Sequence, residues 1–307
     1  MQPLIAAGEF FFDLIFYELD HLPRMGEELV TSNFALTLGG GAPTTAITAA
    51  RLGRRVQLAA VLGDTSLDEF AIHELNNQGV STNLVRQHRG TMGALTVAVS
   101  LPKDRFFLTY PGSNAYLEKY LLSPTGLKLL AAGGHVHFGL SPKDWKPYAE
   151  LVRRLKKRGV TTSWDLGWHP EAVALQGFRE LYAALDVVFL NKIEALRYAD
   201  EKTAQRAMRK LASPGQVIVV KLGPEGAIAL SPSGAARAEP MKVAAVDTTG
   251  AGDAFNGGFL HKWMDGASLE NCLRTGNVCG ALSTTKPGGS AGTPTLPQLN
   301  RALRGMK

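Results

Sequence analysis

The chain has 307 residues, 45% of them hydrophobic, and a formal net charge of +6. This length suits one large α/β domain with a small appendage, and the hydrophobic fraction predicts a substantial core. The basic residues are dispersed, and their densest group, residues 153–158, is typical of the solvated face of a helix, so we expect no nucleic-acid partner. No stretch approaches the roughly 18 consecutive apolar residues that a membrane span needs, so we expect no membrane partner.

The cysteines and one histidine pair argue against disulfides and metal sites. Cys272 and Cys279 are the only cysteines, which indicates a reducing compartment and predicts a cytoplasmic protein. We expect both thiols to be buried as small hydrophobic groups. His135 and His137 are expected to face opposite sides of a predicted strand, which argues against a shared metal ion.

Apolar runs alternate with segments of helical periodicity from about residue 56 onward. The runs that predict strands are residues 56–62, 135–140, 160–165, 186–190, 217–222 and 243–246. Strands that alternate with helices predict an α/β fold in which a mostly parallel central sheet is covered by helices on both faces.

Two stretches interrupt this alternation. Residues 13–38 and 91–112 contain short alternating patterns with no helix between them, which predicts a small antiparallel β-sheet. The predicted core therefore consists of residues 1–12, 39–90 and 113–307, with the small sheet inserted into it. A sheet of this kind beside a ligand site would act as a lid that excludes water.

A glycine-rich turn at residues 247–253 precedes a predicted helix. Gly250, Ala251 and Gly252 lie where backbone N–H groups have no partner within the helix, and the helix dipole favours negative charge there, so the turn predicts a phosphoryl site. Asp253 at the rim would repel a phosphate unless it takes a proton from the group that attacks it. The pattern therefore predicts phosphoryl transfer to a hydroxyl.

Other glycine motifs do not fit this turn. The P-loop pattern is absent from the chain, and the dinucleotide fingerprint fails because Phe255 occupies the position of its third glycine. Residues 250–252 alone are equally compatible with an ordinary turn before a core helix. The flanking Asp247, the two threonines and Asp253 favour the functional interpretation.

Polar residues also follow two other predicted strands, at the edge where ligands gather in parallel sheets. Asn191 and Glu194 have a spacing suited to holding hydrated magnesium through water. The same spacing fits a helix capping box, which is the better interpretation of these two residues alone. Lys221 is placed equally well for a phosphate contact and for an ordinary charge at a strand end.

Taken together, these motifs resemble those of the PfkB/ribokinase family of sugar kinases. Residues 247–260 match the C-terminal signature of that family, and the glycine turn and small-residue helix at residues 39–53 resemble its other signature. Asn191 and Glu194 match its N-x-x-E motif, and Gly223 and Gly226 match its glycine pattern after a strand. The similarity extends from Gly8 to Pro294 and implies a ribokinase-like fold.

The resemblance assigns roles on the nucleotide side of the site. It implies that ATP and Mg²⁺ are the cofactors, that Asp253 is the general base, and that Gly250, Ala251 and Gly252 form the anion hole. It implies that Asn191 and Glu194 organise magnesium through water. It places Lys221, Gly223 and Gly226 in the nucleotide-binding segment and Asn277 beside the adenine. In many relatives a monovalent cation such as K⁺ lies near the anion hole, at positions that correspond to Asp247 and Thr249.

On the acceptor side, the resemblance places Asp13 where a carboxylate accepts hydrogen bonds from two sugar hydroxyls, and Gly39 and Gly40 where backbone amides approach the sugar. Thr44 occupies the position of an Asn that relatives usually carry. A hydroxyl has a shorter reach and one donor, so ribose or fructose specificity does not transfer directly. Arg105, in the predicted lid, is compatible with a substrate contact or with an exposed strand charge. Asp13 is likewise compatible with an exposed charge at the edge of a strand.

The sequence therefore predicts an ATP-dependent sugar kinase that phosphorylates a primary hydroxyl of a small sugar or sugar derivative. One alternative is a nucleoside kinase of the same fold, which Phe10, Phe11, Phe12 and Phe106 keep open as candidates for an aromatic acceptor pocket. Another is a sugar-binding regulator without catalysis. Relatives often pair through their lids, and the apolar run at residues 95–99 suits this, so we expect a homodimer through the lid.

Overall fold

The computed structural model describes residues 2–101, 105–167 and 177–306. The strands in these ranges are β1 (Leu4–Gly8), β2 (Phe11–Phe16), β3 (Phe34–Gly39), β4 (Val56–Ala59), β5 (Val61–Leu62), β6 (Val80–Ser81), β7 (Arg86–Gln87), β8 (Leu95–Ser100), β9 (Arg105–Tyr110), β10 (His135–Gly139), β11 (Thr161–Asp165), β12 (Val187–Asn191), β13 (Val217–Lys221), β14 (Ala227–Ser231) and β15 (Gly234–Ala238). The α-helices are α1 (Gly41–Arg51), α2 (Ser66–Asn77), α3 (Leu117–Leu121), α4 (Pro124–Leu130), α5 (Trp145–Lys156), α6 (Phe178–Ala184), α7 (Lys192–Ala199), α8 (Ala204–Leu211), α9 (Ala251–Trp263), α10 (Leu269–Ser283) and α11 (Leu296–Gly305).

The predicted α/β fold is confirmed by a nine-stranded sheet with the order β15-β14-β13-β12-β11-β10-β1-β4-β6. The seven strands from β6 to β13 in this order are parallel, and β14 and β15 extend the sheet antiparallel to their neighbours. β1 pairs with β4 on one side and with β10 on the other, so the strand order reverses there. Such a switch point opens a crevice at the carboxyl ends of the strands, where ligands bind in open α/β sheets.

Helices cover both faces of the central sheet, as predicted. One face packs against α3 to α8 in a buried cluster that includes Phe138, Trp145 and Trp164. The other face packs against α1, α2, α9 and α10 in a second cluster that includes Phe189 and Phe259. Because both faces are buried, the strands are apolar along their length and show little alternation.

The predicted small sheet is also confirmed, with the order β3-β2-β8-β9. Its outer pairs, β2 with β3 and β8 with β9, are antiparallel, whereas the central pair of β2 and β8 is parallel. The central pair is parallel because both strands lead away from the core, and β3 and β9 return to it. We call this sheet the lid.

Two features of the core differ from the sequence prediction. β1 lies in the middle of the sheet with all five residues buried, and the period-two patterns that reveal a strand are therefore missing from it. The predicted strand at residues 243–246 is wrong, because this segment is irregular chain. Val246 is 58% exposed, and the backbone N–H groups of Val246 and Asp247 both donate to Thr284 O, at 2.7 and 3.0 Å.

The position of α9 depends on two consecutive glycines that face different neighbouring helices. A Cβ added at Gly257 would lie 2.7 Å from Thr45 O on α1, and one added at Gly258 would lie 2.7 Å from Cys279 Sγ on α10. The backbone of α9 therefore packs directly between its two neighbouring helices. Both cysteines are free and buried, as expected.

His135 and His137 share one face of β10, so the expectation that they face opposite sides is wrong. Side chains two residues apart on a strand point to the same face. His135 Nε2 and His137 Nδ1 accordingly lie 2.7 and 2.8 Å from the same Ser163 Oγ. No helix among the described residues has the length and apolar character to cross a membrane. The same ranges contain no group of three or more His, Cys, Asp or Glu side chains arranged to hold a metal ion.

Candidate active site

The turn before α9 has the geometry of a backbone anion site. Gly250 has φ 68, a left-handed conformation that favours glycine, and a Cβ added there would lie 2.6 Å from Gly289 Cα. The N–H of Ala251 donates to Thr248 O over 3.3 Å, which closes the turn. Ala251 and Gly252 begin the helix, so their N–H groups lie at the positive end of its dipole. The turn is therefore suited to a negatively charged oxygen.

Asp253 is the third residue of α9 and lies beside α1. Thr45 Oγ1 donates to the backbone O of Asp253 over 3.0 Å. A Cβ added at Gly41, the first residue of α1, would lie 3.0 Å from Asp253 Oδ1. Asp253 remains partly exposed. The carboxyl group is thus held at the junction of two helices, in a residue that keeps some exposure to solvent.

Next to this turn, Lys221 forms a buried ion pair with Asp165. Lys221 ends β13 and Asp165 ends β11, and Lys221 Nζ lies 2.5 Å from Asp165 Oδ2. Asn256 Nδ2 donates to the same oxygen over 2.6 Å, and Asn256 Oδ1 lies 3.5 Å from Lys221 Nζ. A Cβ added at Gly252 would lie 3.0 Å from Lys221 Nζ, so the ammonium group packs against the anion turn.

The charges in this cluster shift the pKa values of its members. Burial raises the pKa of Asp253 to about 7, and the negative charge of Asp165 adds to this rise while Lys221 opposes it. Burial likewise raises the pKa of Glu194 to about 7. Burial would also raise the pKa of Asp165, but the charge and hydrogen bond of Lys221 outweigh it and hold that pKa below its usual value. Near neutral pH the cluster therefore contains one fixed ion pair and two carboxyl groups that titrate.

A cavity of about 580 Å³ opens on the other side of the anion turn. It is bordered by the turn itself at Ala251 and Gly252, by Lys221, and by a mostly apolar wall that includes Gly223, Gly226, Val243, Phe255, Asn277 and Ala281. Mostly apolar walls with a few polar groups are typical of sites for organic ligands, and this volume suits a nucleotide. The irregular segment that was predicted as a strand contributes Val243 to the wall, which explains its apolar composition.

Comparison with known proteins agrees with this geometry. A model of the pfkB family of carbohydrate kinases matches residues 1–296. The chain belongs to this family. It is therefore a sugar kinase of the ribokinase and fructokinase type, a phosphotransferase whose acceptor is an alcohol group.

Individual relatives are moderately similar along nearly their whole length. A ribokinase of Haemophilus influenzae is 27% identical over 285 residues, which is 90% of each chain. A probable fructokinase-4 of Arabidopsis thaliana is 28% identical over 310 residues, which is 94% of each chain. The solved structure of Arabidopsis thaliana ribokinase with ribose and ATP superposes with a TM-score of 0.84 at 22% identity and covers 99% of each chain. This superposition shows that the two proteins share a fold.

In this pfkB kinase, Asn191 and Glu194 form the helix capping box that the sequence offered as an alternative. Asn191 Oδ1 accepts from Glu194 N over 2.8 Å, and the two oxygens of Glu194 accept from Asn191 N and Nδ2 over 2.8 and 2.6 Å. Glu194 is only 4% exposed. Oxygen donors of this kind suit magnesium, and their engagement with each other fits a role through bound water better than direct coordination.

Asn277, Gly223 and Gly226 shape the cavity through the backbone. Asn277 Nδ2 donates to Ala238 O and Glu239 O, over 3.0 and 2.9 Å, which ties α10 to the end of β15. Gly223 and Gly226 have φ 59 and 85, and a Cβ added at Gly226 would overlap Ala238 O. The structure therefore brings all three predicted residues to the cavity wall.

Asp247 joins the anion turn to the loop around Gly288. Its Oδ1 accepts from Thr249 N and its Oδ2 from Gly288 N, each over 2.9 Å. Both carboxylate oxygens of the predicted cation site thus have backbone donors. They retain lone pairs for a cation, so the donor set is compatible with a monovalent ion and does not by itself indicate one.

The predicted acceptor residues lie along the glycine turn before α1. A Cβ added at Gly39 would overlap the carboxylate of Asp13. Burial raises the pKa of Asp13 to about 7, and the nearby charge of Asp247 adds to this rise. Gly40 has φ 97 and precedes α1. Because Asp13 lies against Gly39 and Asp253 against Gly41, the two carboxyl groups border the same short stretch of backbone.

The side chains of the other two predicted acceptor residues, Thr44 and Arg105, are not shown in contact with the backbone of residues 39–41. Thr44 is 2% exposed, and its Oγ1 packs beside Gly289, the residue that contacts Gly250. Thr44 therefore packs against the anion turn indirectly, through Gly289. Arg105 begins β9, and its side chain lies outside the described part of the chain. Its predicted contact with the substrate stays a prediction.

The sequence did not point to Asp165 and Asn256 as residues of the site. Asp165 ends β11 at the same edge of the sheet as Asn191 and Lys221, so a carboxylate after a predicted strand was the available signal. Asn256 lies three residues after Asp253 on α9, a spacing that puts both side chains on one side of the helix.

Proposed function

We propose that this kinase transfers the γ-phosphoryl group of MgATP to a primary hydroxyl of a small sugar or sugar derivative. The observation that carries the proposal is the position of the anion turn, which lies between the 580 Å³ cavity and the carboxyl group of Asp253. A nucleotide in the cavity would present its terminal phosphate to the turn. A hydroxyl on the opposite side would lie next to a base.

In the proposed reaction, Asp253 accepts the proton of the attacking hydroxyl. A general base is most effective when its pKa is near the working pH, and burial raises the pKa of Asp253 to about 7. Gly250 and Gly252 would stabilise charge on the transferred phosphoryl group through their N–H groups. Ala251, whose own N–H donates to Thr248 O, would contribute as part of the positive end of the helix dipole. Lys221, whose ammonium group packs against Gly252, would add a positive charge beside the same phosphates.

Two metal ions belong to the proposal. Asn191 and Glu194 would organise Mg²⁺ through water, and the ion would neutralise charge on the nucleotide phosphates. Asp247 and Thr249 would hold a monovalent cation such as K⁺ beside the anion turn. The support for this second site is the loop geometry, in which Asp247 links the turn to Gly288.

The size of the acceptor follows from the spacing of two carboxyl groups. Asp13 lies against Gly39 and Asp253 against Gly41, and the Cα atoms of these two glycines are at most about 7.2 Å apart. A five- or six-carbon sugar has this length, so it would reach Asp253 with one hydroxyl while Asp13 accepts hydrogen bonds from hydroxyls at its other end. The amides of Gly39 and Gly40 border the same space.

The structure weakens the argument for a nucleoside acceptor. Phe10 and Phe12 are fully buried and pack edge to face against each other, with ring centroids 4.9 Å apart. They belong to the core cluster and do not offer a surface for a base. Two of the four aromatic residues that kept this alternative open are therefore occupied elsewhere.

We also propose a homodimer through the lid. The register places Leu36, Leu14, Val97 and Leu108 in one row across the four strands, and Phe34, Phe16, Val99 and Phe106 in the next row on the same face. Leu36 is 41% exposed and Leu108 is 64% exposed. Asp13 lies on the opposite face, so the apolar face points away from the acceptor and is free to pair with a second copy.

We further propose that the protein is cytoplasmic, and the two free thiols are consistent with this location.

The test is release of ADP from MgATP in the presence of a panel of free sugars, sugar phosphates and nucleosides, with product identified by mass spectrometry. We expect turnover with a free sugar or sugar derivative and a product that carries phosphate on a primary hydroxyl. Turnover confined to nucleosides would select the nucleoside kinase. A sugar that raises the melting temperature but never releases ADP would select the binding regulator.

A further inference from the structure

The ion pair of Lys221 and Asp165 lies beside the proposed catalytic base, although no step of the proposed reaction uses Asp165. Lys221 is one ammonium group among three carboxyl groups, which belong to Asp165, Glu194 and Asp253. The charge of Lys221 and the charges of these carboxyl groups shift one another's pKa values. Of these three carboxyl groups, Asp165 is the one that contacts the ammonium group directly, at 2.5 Å.

The alternative partner of Lys221 is close. The ammonium group packs against Gly252, the residue before Asp253, and the lysine side chain has four flexible carbons. Without Asp165 the cation would remain buried with no direct carboxylate contact, and an unpaired buried charge is strongly unfavourable. Rotation toward Asp253 would relieve this, but an ion pair there would occupy the lone pairs that must receive the proton of the acceptor.

Asn256 strengthens the existing contact. It donates to the same Asp165 oxygen over 2.6 Å and presents its own Oδ1 toward Lys221 Nζ at 3.5 Å. Asn256 is fully buried and lies on α9, the helix that also carries Asp253. The base and the group that fixes the ion pair are therefore attached to the same rigid element.

We propose that Asp165 is a positioning residue that holds the ammonium group of Lys221 away from Asp253, so that the carboxylate of the base stays free for the acceptor. The inference rests on the proposed function, since it concerns the base of that reaction. Asp165 acts on the reaction only through Lys221, and Asn256 fixes the pair in place.

In the part of the chain that the structure describes, few titratable groups face Asp253. β11 contributes Asp165, β13 contributes Lys221 and α7 contributes Glu194. β10 contributes His137, which interacts with Asp165 and Lys221, and burial lowers its pKa to about 4, so it is neutral at working pH. α1 faces the base with Gly41 and Thr45, which do not titrate.

The test is a double-mutant cycle of Asp165→Asn and Lys221→Met. Initial rates are measured at saturating MgATP with the acceptor that gives turnover in the panel, from pH 5.5 to 9, and binding of ATP is measured by calorimetry. Asp165→Asn should lower kcat by about a hundredfold, the lower end of what a general base contributes, and leave ATP binding within about threefold. In the Lys221→Met background the same substitution should change kcat by no more than about twofold, because the ammonium group it controls is gone.

The acid limb of the pH profile alone does not discriminate, since removal of the Asp165 charge lowers the pKa of Asp253 whether or not Lys221 moves. The cycle does discriminate. A loss of kcat that is equally large in both backgrounds would overturn the inference, and so would a single Asp165→Asn variant within about twofold of the wild type. If Asp165→Asn does not fold, Asn256→Ala takes its place, because it keeps both charges and loosens only their contact. It should lower kcat in the wild-type background and not in Lys221→Met.

Failure of the inference is distinct from failure of the proposed function. A wild-type enzyme that releases no ADP with any acceptor would refute the proposed function, and the inference with it. A wild type that turns over normally, combined with additive effects in the cycle, would refute the positioning role of Asp165 alone.

Discussion

Gly41 and Asp253 meet across the junction of α1 and α9, at a distance that would force a side chain at residue 41 to displace the carboxyl group. A Cβ there would lie 3.0 Å from Asp253 Oδ1. The two residues are 212 positions apart in the chain. Gly41 begins the helix that borders the acceptor and Asp253 is the proposed base, so the small-residue turn and the carboxylate form one unit of structure.

This contact predicts the effect of Gly41→Ala. The added methyl group would displace the carboxylate of Asp253 by a few tenths of an ångström, and a misplacement of about 1 Å can cost about a hundredfold in rate. We expect kcat to fall by about 3- to 10-fold, with the ATP affinity and melting temperature close to those of the wild type. Gly305→Ala is the matched control, because nothing lies within 4 Å of the Cβ it adds. Equal rates for the two variants would contradict the contact.

Asp253→Asn tests the base itself. The amide cannot accept the proton of the attacking hydroxyl, so we expect a loss of about 10²- to 10⁴-fold in kcat while ATP and acceptor still bind. Stopped turnover with retained binding, measured by ADP release and by calorimetry, is the expected outcome. Glu270→Gln, an exposed carboxylate at the start of α10, serves as a control for the loss of one negative charge. Near-native turnover of Asp253→Asn would remove the base from the mechanism.

The pKa of Asp253 also predicts the pH dependence of the wild type. A base works when it is deprotonated, and burial raises its pKa to about 7. The rate at low acceptor concentration should therefore fall by at least about tenfold per pH unit below pH 7, since Asp13 titrates in the same range, and level off above it. A profile that stays flat down to pH 5 would contradict a buried carboxyl base.

Asp13→Asn should raise the stability of the fold at pH 8 and lower the affinity for the acceptor. Burial and the charge of Asp247 raise the pKa of Asp13 to about 7, so the folded state holds a proton that the unfolded state releases above about pH 4. Between these values the folded state binds more protons, and stability contributed by this group falls as pH rises. The neutral variant should be more stable than the wild type at pH 8, on the order of 1–2 kcal/mol after allowance for partial exposure, and equally stable at pH 4.

The same variant should lose acceptor affinity. An amide accepts at one oxygen where the carboxylate accepts at two, so the KM for the sugar should rise by about tenfold or more while the KM for ATP stays unchanged. Denaturant unfolding at pH 4 and pH 8, together with steady-state kinetics, measures both effects. A variant that is less stable at pH 8 and binds sugar normally would contradict the position given to Asp13.

Much of the fold could be predicted from the sequence, and the exceptions have physical causes. Strands such as β12 and β13 are apolar runs bounded by polar residues, so they were recognised. β1 is equally apolar but lies close to the chain start without a helix before it, and its five buried residues show no alternation. Residues 243–246 have the composition of a strand, but only Val243 and Ala245 border the 580 Å³ cavity, and Val246 is 58% exposed.

The site was predictable where one local segment carries the chemistry. The turn at Gly250 to Asp253 predicts an anion site, because the spacing along one helix start determines its geometry. The triangle of Asp165, Lys221 and Asn256 joins two strands and a helix that are far apart in sequence. Local pattern gives the position of each member at a strand end or on a helix, but only the packed structure shows that they share one oxygen atom.

Ala281→Phe tests whether the 580 Å³ cavity is the nucleotide site. Ala281 lies on α10 and lines the cavity opposite Val243, so a phenyl ring there would occupy part of its volume. We expect the KM for ATP to rise by at least about tenfold, equivalent to about 1.4 kcal/mol of binding, while sugar still raises the melting temperature. An unchanged affinity for ATP would place the nucleotide elsewhere. A loss of both ligands would instead indicate damage to α10, which the melting temperature without ligand would reveal.

The apolar face of the lid predicts the last effect. Leu36 and Leu108 belong to one row across the four strands and are the exposed ends of that row. Leu108→Glu would place a charge within the proposed dimer contact, where burial without a partner is unfavourable. We expect the wild type to have twice the chain mass by light scattering and the variant to have the mass of one chain. Leu296→Glu, an exposed leucine on α11, should leave the dimer intact. A wild-type monomer, or a dimer that Leu108→Glu does not dissociate, would contradict pairing through this face.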